Sequence, residues 1–366
     1  MEPYIPDVLP LDNSVFFTPE MIRLLSDSSA SLSKYNGIMT NPSLDPSIFL
    51  SPLEIKEAVL SSKIEGTKTT LDDVLRFDAD VFTGNRDGDI VEVLNYRTAM
   101  RDAKKWLEKG YPINQTLICE IQKTLLEGVR GQNKKPGEIR KEQVWIGTKN
   151  STIENAIFVP PAPTNVPNFI ENLISYMNLD DQEPLIQTAI MHAQFEIIHP
   201  FMDGNGRTGR ILIPLLLWSK SRLDSPMFYI SEYLEINRED YTQCLNAITT
   251  KKDWKGWVHF FLKAIQTQAD KNSRKALEII ALYENCKNRL FSEQNTQNSL
   301  KGLDILFSMP IFSAVQFRKA ANMPPATAAR VLTTYKNLGF IQTISPSSGR
   351  TSELLVFPEL YRLINE

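Results

Sequence analysis

The chain has 366 residues, of which 42% are hydrophobic and 23% charged, and its formal net charge is −3. This composition is typical of a soluble globular protein of two or three domains, and the net charge excludes a global basic field that would attract nucleic acid. Three widely spaced cysteines match no metal or disulfide pattern, the N-terminus lacks the features of a secretion signal, and no apolar run is long enough for a membrane helix. We therefore expect a cytoplasmic protein that does not span a membrane.

The N-terminal third reads as helical after an irregular start. Residues 1 to about 45 are rich in Pro, Ser, Asp and Asn and predict an extended arm with one short helix at 19–27. A helix is predicted over 51–65, because Pro52 suits a first helical turn and Gly66 suits a helix end. Three more helices follow, at 70–76, 90–109 and 114–126.

A β-hairpin then interrupts the helical pattern. Two apolar runs, 143–147 and 156–161, flank a polar turn, and prolines stop the second strand. Helices resume over 166–177, 184–197, 208–221, 231–248 and 254–278, so the first 290 residues are mostly α.

The C-terminal region has a pattern of its own. The polar stretch 294–299 predicts a linker, and beyond it come three short helices and two strands, at 303–307, 313–321, 325–338, 340–344 and 353–357. This order is typical of a winged helix-turn-helix. The third helix carries only Arg330 and Lys336 as cations, so protein docking or dimerisation is at least as well supported as DNA binding.

The segment 199–210, His-Pro-Phe-Met-Asp-Gly-Asn-Gly-Arg-Thr-Gly-Arg, carries the residue types of phosphate chemistry. A turn rich in Gly and Asn can point N–H groups at an anion, and the helix after it adds its positive end. Asp203 offers the oxygen that Mg²⁺ prefers, and His199 can accept a proton at neutral pH. Arg207 and Arg210 lie on the first helical turn and can hold phosphate. The segment predicts transfer of a phosphorus-containing group from a nucleotide to a nucleophile.

This segment resembles the signature of the Fic family, His-x-Phe-x-Asp/Glu-Gly-Asn-Gly-Arg-x-x-Arg, at every fixed position. The resemblance covers roughly residues 35–260 and implies a mainly α, Fic-type helical core with a β-hairpin flap. It implies transfer of AMP from ATP to a Ser, Thr or Tyr hydroxyl of a target protein, and of the enzyme itself, with the target segment docked on the flap by strand addition. His199 would be the base, and Asp203 would hold Mg²⁺. The implied nucleotide-binding residues are Glu65, Gly204, Asn205, Gly206, Arg207, Thr208, Gly209, Arg210 and Tyr241.

A second motif lies N-terminal to the signature. Ser61, Glu65 and Gly66 fit the pattern Ser/Thr-x-x-x-Glu-Gly/Asn, which resembles the inhibitory helix of Fic proteins that carry their inhibitor in the same chain. Ser61 and Glu65 are four apart and share a helix face, from which a carboxylate can pair with Arg210. The resemblance implies autoinhibition, in which Glu65 blocks the arginine that would bind the γ-phosphate. An ordinary capping Glu before a C-terminal Gly is the alternative.

The sequence thus predicts four regions. They are an N-terminal helical region with the inhibitory helix (1–112, helix about 51–66), a Fic core with its flap (113–260, flap 143–161), a connecting helix and linker (261–298) and a winged helix-turn-helix (299–366). Two other functions stay open, namely a Fic-type enzyme that moves another phosphoryl-linked group or removes AMP, and a DNA-binding regulator whose Fic core senses nucleotide. The sequence also leaves a homodimer open.

Overall fold

The computed structural model of the chain describes residues 2–40, 46–79, 88–147, 151–180, 182–292, 297–347 and 352–365. These residues form the helices α1 (Pro19–Met39), α2 (Pro46–Ile64), α3 (Leu71–Asp78), α4 (Gly88–Glu108), α5 (Gln115–Leu125), α6 (Val166–Met177), α7 (Pro184–Ile198), α8 (Asn205–Ser219), α9 (Ser231–Ile236), α10 (Arg238–Lys251), α11 (Trp254–Ser292), α12 (Gln297–Ser308), α13 (Ala314–Ala320), α14 (Pro325–Asn337) and α15 (Pro358–Asn365). Three short strands, β1 (Ile311–Ser313), β2 (Gln342–Ser345) and β3 (Leu354–Val356), form an antiparallel sheet in the order β1-β3-β2. The predicted mainly α fold is confirmed.

The N-terminal helices are longer than the sequence predicted. Helix α1 starts after the N-cap Thr18, whose side chain accepts a hydrogen bond from the backbone of Met21, and it continues to Met39 and packs against α11. Helix α2 begins at Pro46, so the prediction that Pro52 marks the first turn was wrong; Pro52 lies inside the helix.

Two fully packed helices lead into and out of the signature segment. In α7 nearly every side chain is buried, and α8 packs along it with an equally buried middle. Gly209 permits this close packing, since a Cβ there would lie 2.6 Å from Glu196 Oε1. From α11, the Trp257 indole N–H donates to the Ala189 carbonyl at 2.7 Å and so ties α7 to the longest helix. The signature is therefore held on rigid elements.

The region after α8 differs from the prediction at two points. The predicted helix over 231–248 is broken at Asn237 into α9 and α10. Helix α11 runs on to Ser292, so the predicted boundary after residue 260 falls inside it. Half of the predicted linker, residues 294–296, lies outside the described residues, and residues 297–299 belong to α12.

In the flap, residues 143–161, the described residues 143–147 and 151–161 form one antiparallel bridge, Ile146 to Phe158, rather than two full strands. Prolines at 160 and 161 cannot donate to a ladder, and the Gln143 side-chain amide donates to the Pro160 carbonyl at 2.9 Å. Part of the predicted turn, residues 148–150, lies outside the described residues.

In the C-terminal region the predicted helices and strands are present, and β1 and α15 are additions that the sequence did not predict. The winged helix-turn-helix assignment stays a prediction, and residues 348–350 of the expected wing lie outside the described part. Among the described helices, none combines the length and the apolar character that crossing a membrane would require.

Candidate active site

His199 stands at the end of α7 in a left-handed backbone conformation, with φ 48° and ψ 63°. Its backbone N–H donates to the Phe195 carbonyl at 3.0 Å, and its ring Nδ1 lies 3.3 Å from the carbonyl of Glu196. These contacts leave the half-buried ring against the neighbouring cavity, whose lining it joins. The backbone N–H and the ring of His199 thus both contact the last turn of α7.

The loop after His199 is closed by side chains of the signature. Asn205 both accepts from the backbone N–H of Phe201 and donates to its carbonyl, each at 2.9 Å. Gly204 takes a φ of +80°, which favours glycine, and the Thr208 hydroxyl donates to its carbonyl at 2.8 Å. Helix α8 therefore begins at Asn205, three residues earlier than predicted. Its first backbone N–H groups have no acceptor within the helix, and the sequence predicts an anion site at this end.

Arg210 is almost fully buried and is held from α2. Its Nε donates to the Ser61 hydroxyl at 2.8 Å, and its Nη2 donates to the Ser61 carbonyl at 2.9 Å and to Glu65 Oε1 at 2.7 Å. The arginine side chain is 1% exposed and that of Glu65 34% exposed. A Cβ on Gly206 would lie 2.2 Å from Glu65 Oε1, so this carboxylate sits directly over the first turn of α8. The structure thus brings Ser61, Glu65 and Arg210 together, while Gly66, at φ +95°, ends the segment.

Arg207 points elsewhere. Its Nη1 donates to Glu92 Oε2 at 2.8 Å, and both side chains are at most 2% exposed. Glu92 also accepts from the Thr67 hydroxyl at 3.1 Å. Arg207 therefore does not line the cavity that His199 and Arg210 share.

That cavity has a volume of about 660 Å³ and lies between the flap, the signature, the end of α2 and α10. Its polar end includes Glu65, Gly206 and Arg210, and its other side carries flap residues such as Phe158. Tyr241 lines it from α10, is buried, and has its hydroxyl 3.0 Å from His192 Nε2. A cavity of this size with one cationic and one apolar end can hold a nucleotide.

The titratable groups of the cavity are strongly shifted. Burial lowers the pKa of His199 to about 4, so its ring is neutral at pH 7. Burial raises the pKa of Glu196 to about 8, and its Oε1 has no hydrogen-bond partner among the described residues. Burial also acts to raise the pKa of Glu65, but Arg210, Arg207 and His199 together hold it below its usual value. A neutral imidazole and the buried Arg210 guanidinium therefore line one cavity.

Asp203 is the candidate ligand for a metal ion. Its Oδ1 accepts from the Gly204 backbone at 2.8 Å and its Oδ2 lies 3.4 Å from Lys134 Nζ. Among the described residues there is no cluster of three or more metal-ligating side chains. Mg²⁺ is commonly bound through one or two carboxylates together with substrate phosphates, so a single partly exposed carboxylate next to the start of α8 fits it.

Three residues of this region were missed by the sequence reasoning: Glu92, Arg140 and Glu196. Arg140 lies in the segment Pro-Gly-Glu-Ile-Arg, whose Pro and Gly are typical of a break between elements rather than of a functional site. The other two are acidic residues within helical patterns, where a solvated position is the usual expectation. No signal in the sequence distinguishes a buried Glu from an exposed one when its partner lies far away in the chain.

Comparison with known proteins identifies the family. Residues 112–217 match the Fic/DOC family, and residues 22–105 match the Fic/DOC family N-terminal region. Over 197 residues the chain is 28% identical to "Probable protein adenylyltransferase aq_aa38" of Aquifex aeolicus, which covers 52% of this chain and 56% of that protein. Over 132 residues it is 30% identical to "Protein adenylyltransferase Fic" of Drosophila grimshawi, covering 34% of this chain and 24% of that protein. The chain thus spans about half the length of the first relative and about a quarter of the second.

Solved structures share the fold. A Fic family protein from Desulfovibrio desulfuricans superposes with a TM-score of 0.60 at 18% identity, over 98% of each chain. Fic-1 from C. elegans superposes with a TM-score of 0.54 at 17% identity, over 72% of this chain and 75% of that one. The two matched segments together span more than half of the chain, and the helical core and the complete signature agree with them: the chain belongs to the Fic/DOC family.

Proposed function

We propose that the chain is an autoinhibited protein adenylyltransferase, which transfers AMP from ATP to a side-chain hydroxyl of a target protein and of itself. The observation that carries this proposal is that His199, the N-terminus of α8 and the buried Arg210 line one cavity of nucleotide size. The names of the curated relatives agree with this activity.

The chemistry follows from the position of each group. A neutral His199 takes the proton of the acceptor hydroxyl, whose oxygen attacks the α-phosphate of ATP. A bond forms between that oxygen and the α-phosphorus, and the bond to the β-phosphate bridging oxygen breaks, so pyrophosphate leaves. The N–H groups at the start of α8 and Arg210 stabilise the negative charge of the triphosphate. No other nucleophile from the chain is needed.

Mg²⁺ is the proposed cofactor. Asp203 would hold it together with phosphate oxygens of ATP, and the ion would supply neutralisation of phosphate charge. The ion pair of Asp203 with Lys134 is long and exposed and is easily replaced.

Glu65 inhibits the enzyme in this proposal by occupying the place of the γ-phosphate. Its carboxylate contacts Arg210 and lies over Gly206, so it competes for both the cation and the helix end. ATP can then bind only with its terminal phosphate displaced, which puts the α-phosphate out of line with the base. Misalignment of this kind costs orders of magnitude in rate.

The target protein docks on the flap in this proposal. Trp145, Ile146 and Ile157 of the flap are exposed apolar side chains beside the cavity mouth. A hairpin with a single bridge has unpaired backbone groups to offer an extended segment, as in strand addition.

Labelled ATP tests the proposal. Glu65→Gly protein is incubated with Mg²⁺ and host lysate, once with ATP labelled on the α-phosphate and once on the γ-phosphate. We expect protein-bound label from the first only, a mass increase equal to AMP on a hydroxyl residue, and no label with the matched Glu65→Gly/His199→Ala protein, which still binds ATP. Transfer of γ-label would instead support movement of another phosphoryl group, and undiminished labelling without His199 would remove it as the base.

A further inference from the structure

Arg140 is a buried cation where the flap meets the loop that follows His199. It is 2% exposed, and among the described residues every hydrogen bond of its side chain ends on a backbone carbonyl, with no carboxylate at ion-pair distance. Burial lowers the pKa of Arg140 to about 10, so it is still charged at neutral pH. Burying a charge without a counter-ion is unfavourable, so its fork of donors must serve a geometric purpose.

One side of the guanidinium fixes the end of α7. Its Nε donates to the His199 carbonyl at 2.8 Å, and Nη2 reaches the Ile198 carbonyl at 3.4 Å. The backbone N–H of Arg140 donates to the Pro200 carbonyl at 2.9 Å. Ile198 is the last residue of α7, so its carbonyl has no helical donor, and the carbonyls of His199 and Pro200 follow the helix. Arg140 therefore supplies donors to three successive peptide units around the base.

These bonds matter because His199 has an unfavourable backbone conformation. At φ 48° it lies in the left-handed region, which residues other than glycine adopt rarely. Such a conformation persists where neighbouring contacts enforce it. The Arg140 bond to the carbonyl of His199 fixes the peptide that follows the imidazole, and so fixes where the ring points.

The other side of the guanidinium holds both ends of the flap. Nη1 donates to the carbonyl of Glu142, which precedes the flap, and Nη2 donates to the carbonyl of Pro161, its last residue, at 3.1 and 2.6 Å. One planar group thus connects the entry of the flap, its exit and the residue that carries the base.

We propose that Arg140 is a positioning residue that sets the distance and orientation between the His199 imidazole and the flap, so that a hydroxyl docked on the flap meets the base. This inference rests on the proposed transfer reaction. Arg140 itself does not line the cavity, so it acts through His199 and the flap and leaves ATP binding to α8 and Arg210.

The test uses Arg140→Lys and Arg140→Gln in the full-length Glu65→Gly protein, with Arg222→Lys as the matched control. Arg222 pairs with Glu183 at the opposite end of α7, at 3.4 Å. The Kd for ATP is measured by calorimetry, kcat and KM by self-labelling from α-labelled ATP, and ring environments by NMR of the three histidines, His192, His199 and His259.

We expect both Arg140 variants to bind ATP within about twofold of the parent and to lose at least about 30-fold in kcat, since misplacement of about 1 Å costs on the order of 100-fold. Lysine keeps the charge but cannot reach the His199 and Pro161 carbonyls together, so it should be no better than glutamine. Only the His199 resonance should move, and Arg222→Lys should behave as the parent.

Full activity of Arg140→Lys would overturn the proposal, because charge alone would then suffice. A loss of ATP affinity in step with kcat, movement of the core His192 resonance, or failure of both variants to fold would also overturn it, since each assigns Arg140 to general stability. If the Glu65→Gly parent transfers no AMP, the proposed function fails, whereas the NMR spectra still decide whether Arg140 orients the imidazole.

Discussion

Replacing Glu65 by glycine should activate the enzyme, and the structure allows the size of the effect to be worked out. The change removes the carboxylate that lies 2.7 Å from Arg210 Nη2, and the Glu65 side chain that carries it is 34% exposed. A hydrogen bond to a charged group contributes about 1.5–3 kcal/mol net, and exposure of Glu65 reduces the Coulombic part through solvent screening. With about 1.4 kcal/mol for each factor of ten, transfer should rise roughly 10- to 100-fold.

The assay is the initial rate of self-labelling from α-labelled ATP with Mg²⁺, for the wild type, Glu65→Gly and Glu65→Gln. Glutamine keeps a neutral hydrogen bond to Arg210, so its rate should fall between the other two. Glu108→Gly is the control for loss of helix-end stability, because Glu108 ends α4 and its side chain is half exposed, 3.9 Å from Lys104. It should leave the rate unchanged.

Two results would refute this reasoning. Equal rates for wild type and Glu65→Gly, at equal ATP affinity, would mean that the contact of Glu65 with Arg210 does not inhibit transfer. An equal rise in Glu108→Gly would mean that general loosening of the N-terminal helices activates the enzyme. The contact of Glu65 with Arg210 would then not explain the activation.

Three further predictions concern pH and stability. Burial lowers the pKa of His199 to about 4, and kcat/KM reports the base of the free enzyme, so kcat/KM of Glu65→Gly should hold down to about pH 5; a fall centred on the ordinary histidine value would contradict this. Glu92→Ala leaves Arg207 buried and unpaired, so urea denaturation should show a loss of about 3–5 kcal/mol in the free energy of unfolding, and a loss under about 1 kcal/mol would exclude a stabilising pair. Gly209→Ala places a Cβ 2.6 Å from Glu196 Oε1 and should cost about 1–3 kcal/mol; an unchanged midpoint would mean that α7 and α8 separate easily.

Local sequence signals predicted the helices well where they were complete. The predicted bounds of α6 coincide with the observed Val166–Met177, because its apolar spacing and flanking residues agree. The C-terminal half of α1 was missed, since its many serines hide the spacing of Leu32, Tyr35 and Met39, which are buried against the rest of the core. Strand β1 is only three residues long, too short for a periodic pattern, and it exists because β3 pairs with it.

Some features of the site could likewise be predicted from local sequence, and others could not. The signature and the proposed inhibitory motif are each a short continuous segment, so their residue types and spacing are visible in the sequence. The structure brings Ser61, Glu65 and Arg210 into contact. The directions of side chains are decided by partners far away in the chain. Arg207 turns to Glu92, which lies 115 positions before it, and no pattern around either residue predicts this pair.

The placement of Glu65 also bears on how the proposed inhibition would be relieved. Glu65 follows Ile64, the last residue of α2, and is partly exposed, whereas Ala58 and Ser61 within that helix are fully buried. Moving the whole of α2 would expose apolar side chains at about 1.5–3 kcal/mol each. Rotating the Glu65 side chain breaks one ion pair and leaves both Arg210 bonds to Ser61 in place. We therefore expect that the proposed inhibition is relieved by rotation of the Glu65 side chain rather than by departure of α2, because rotation breaks fewer contacts.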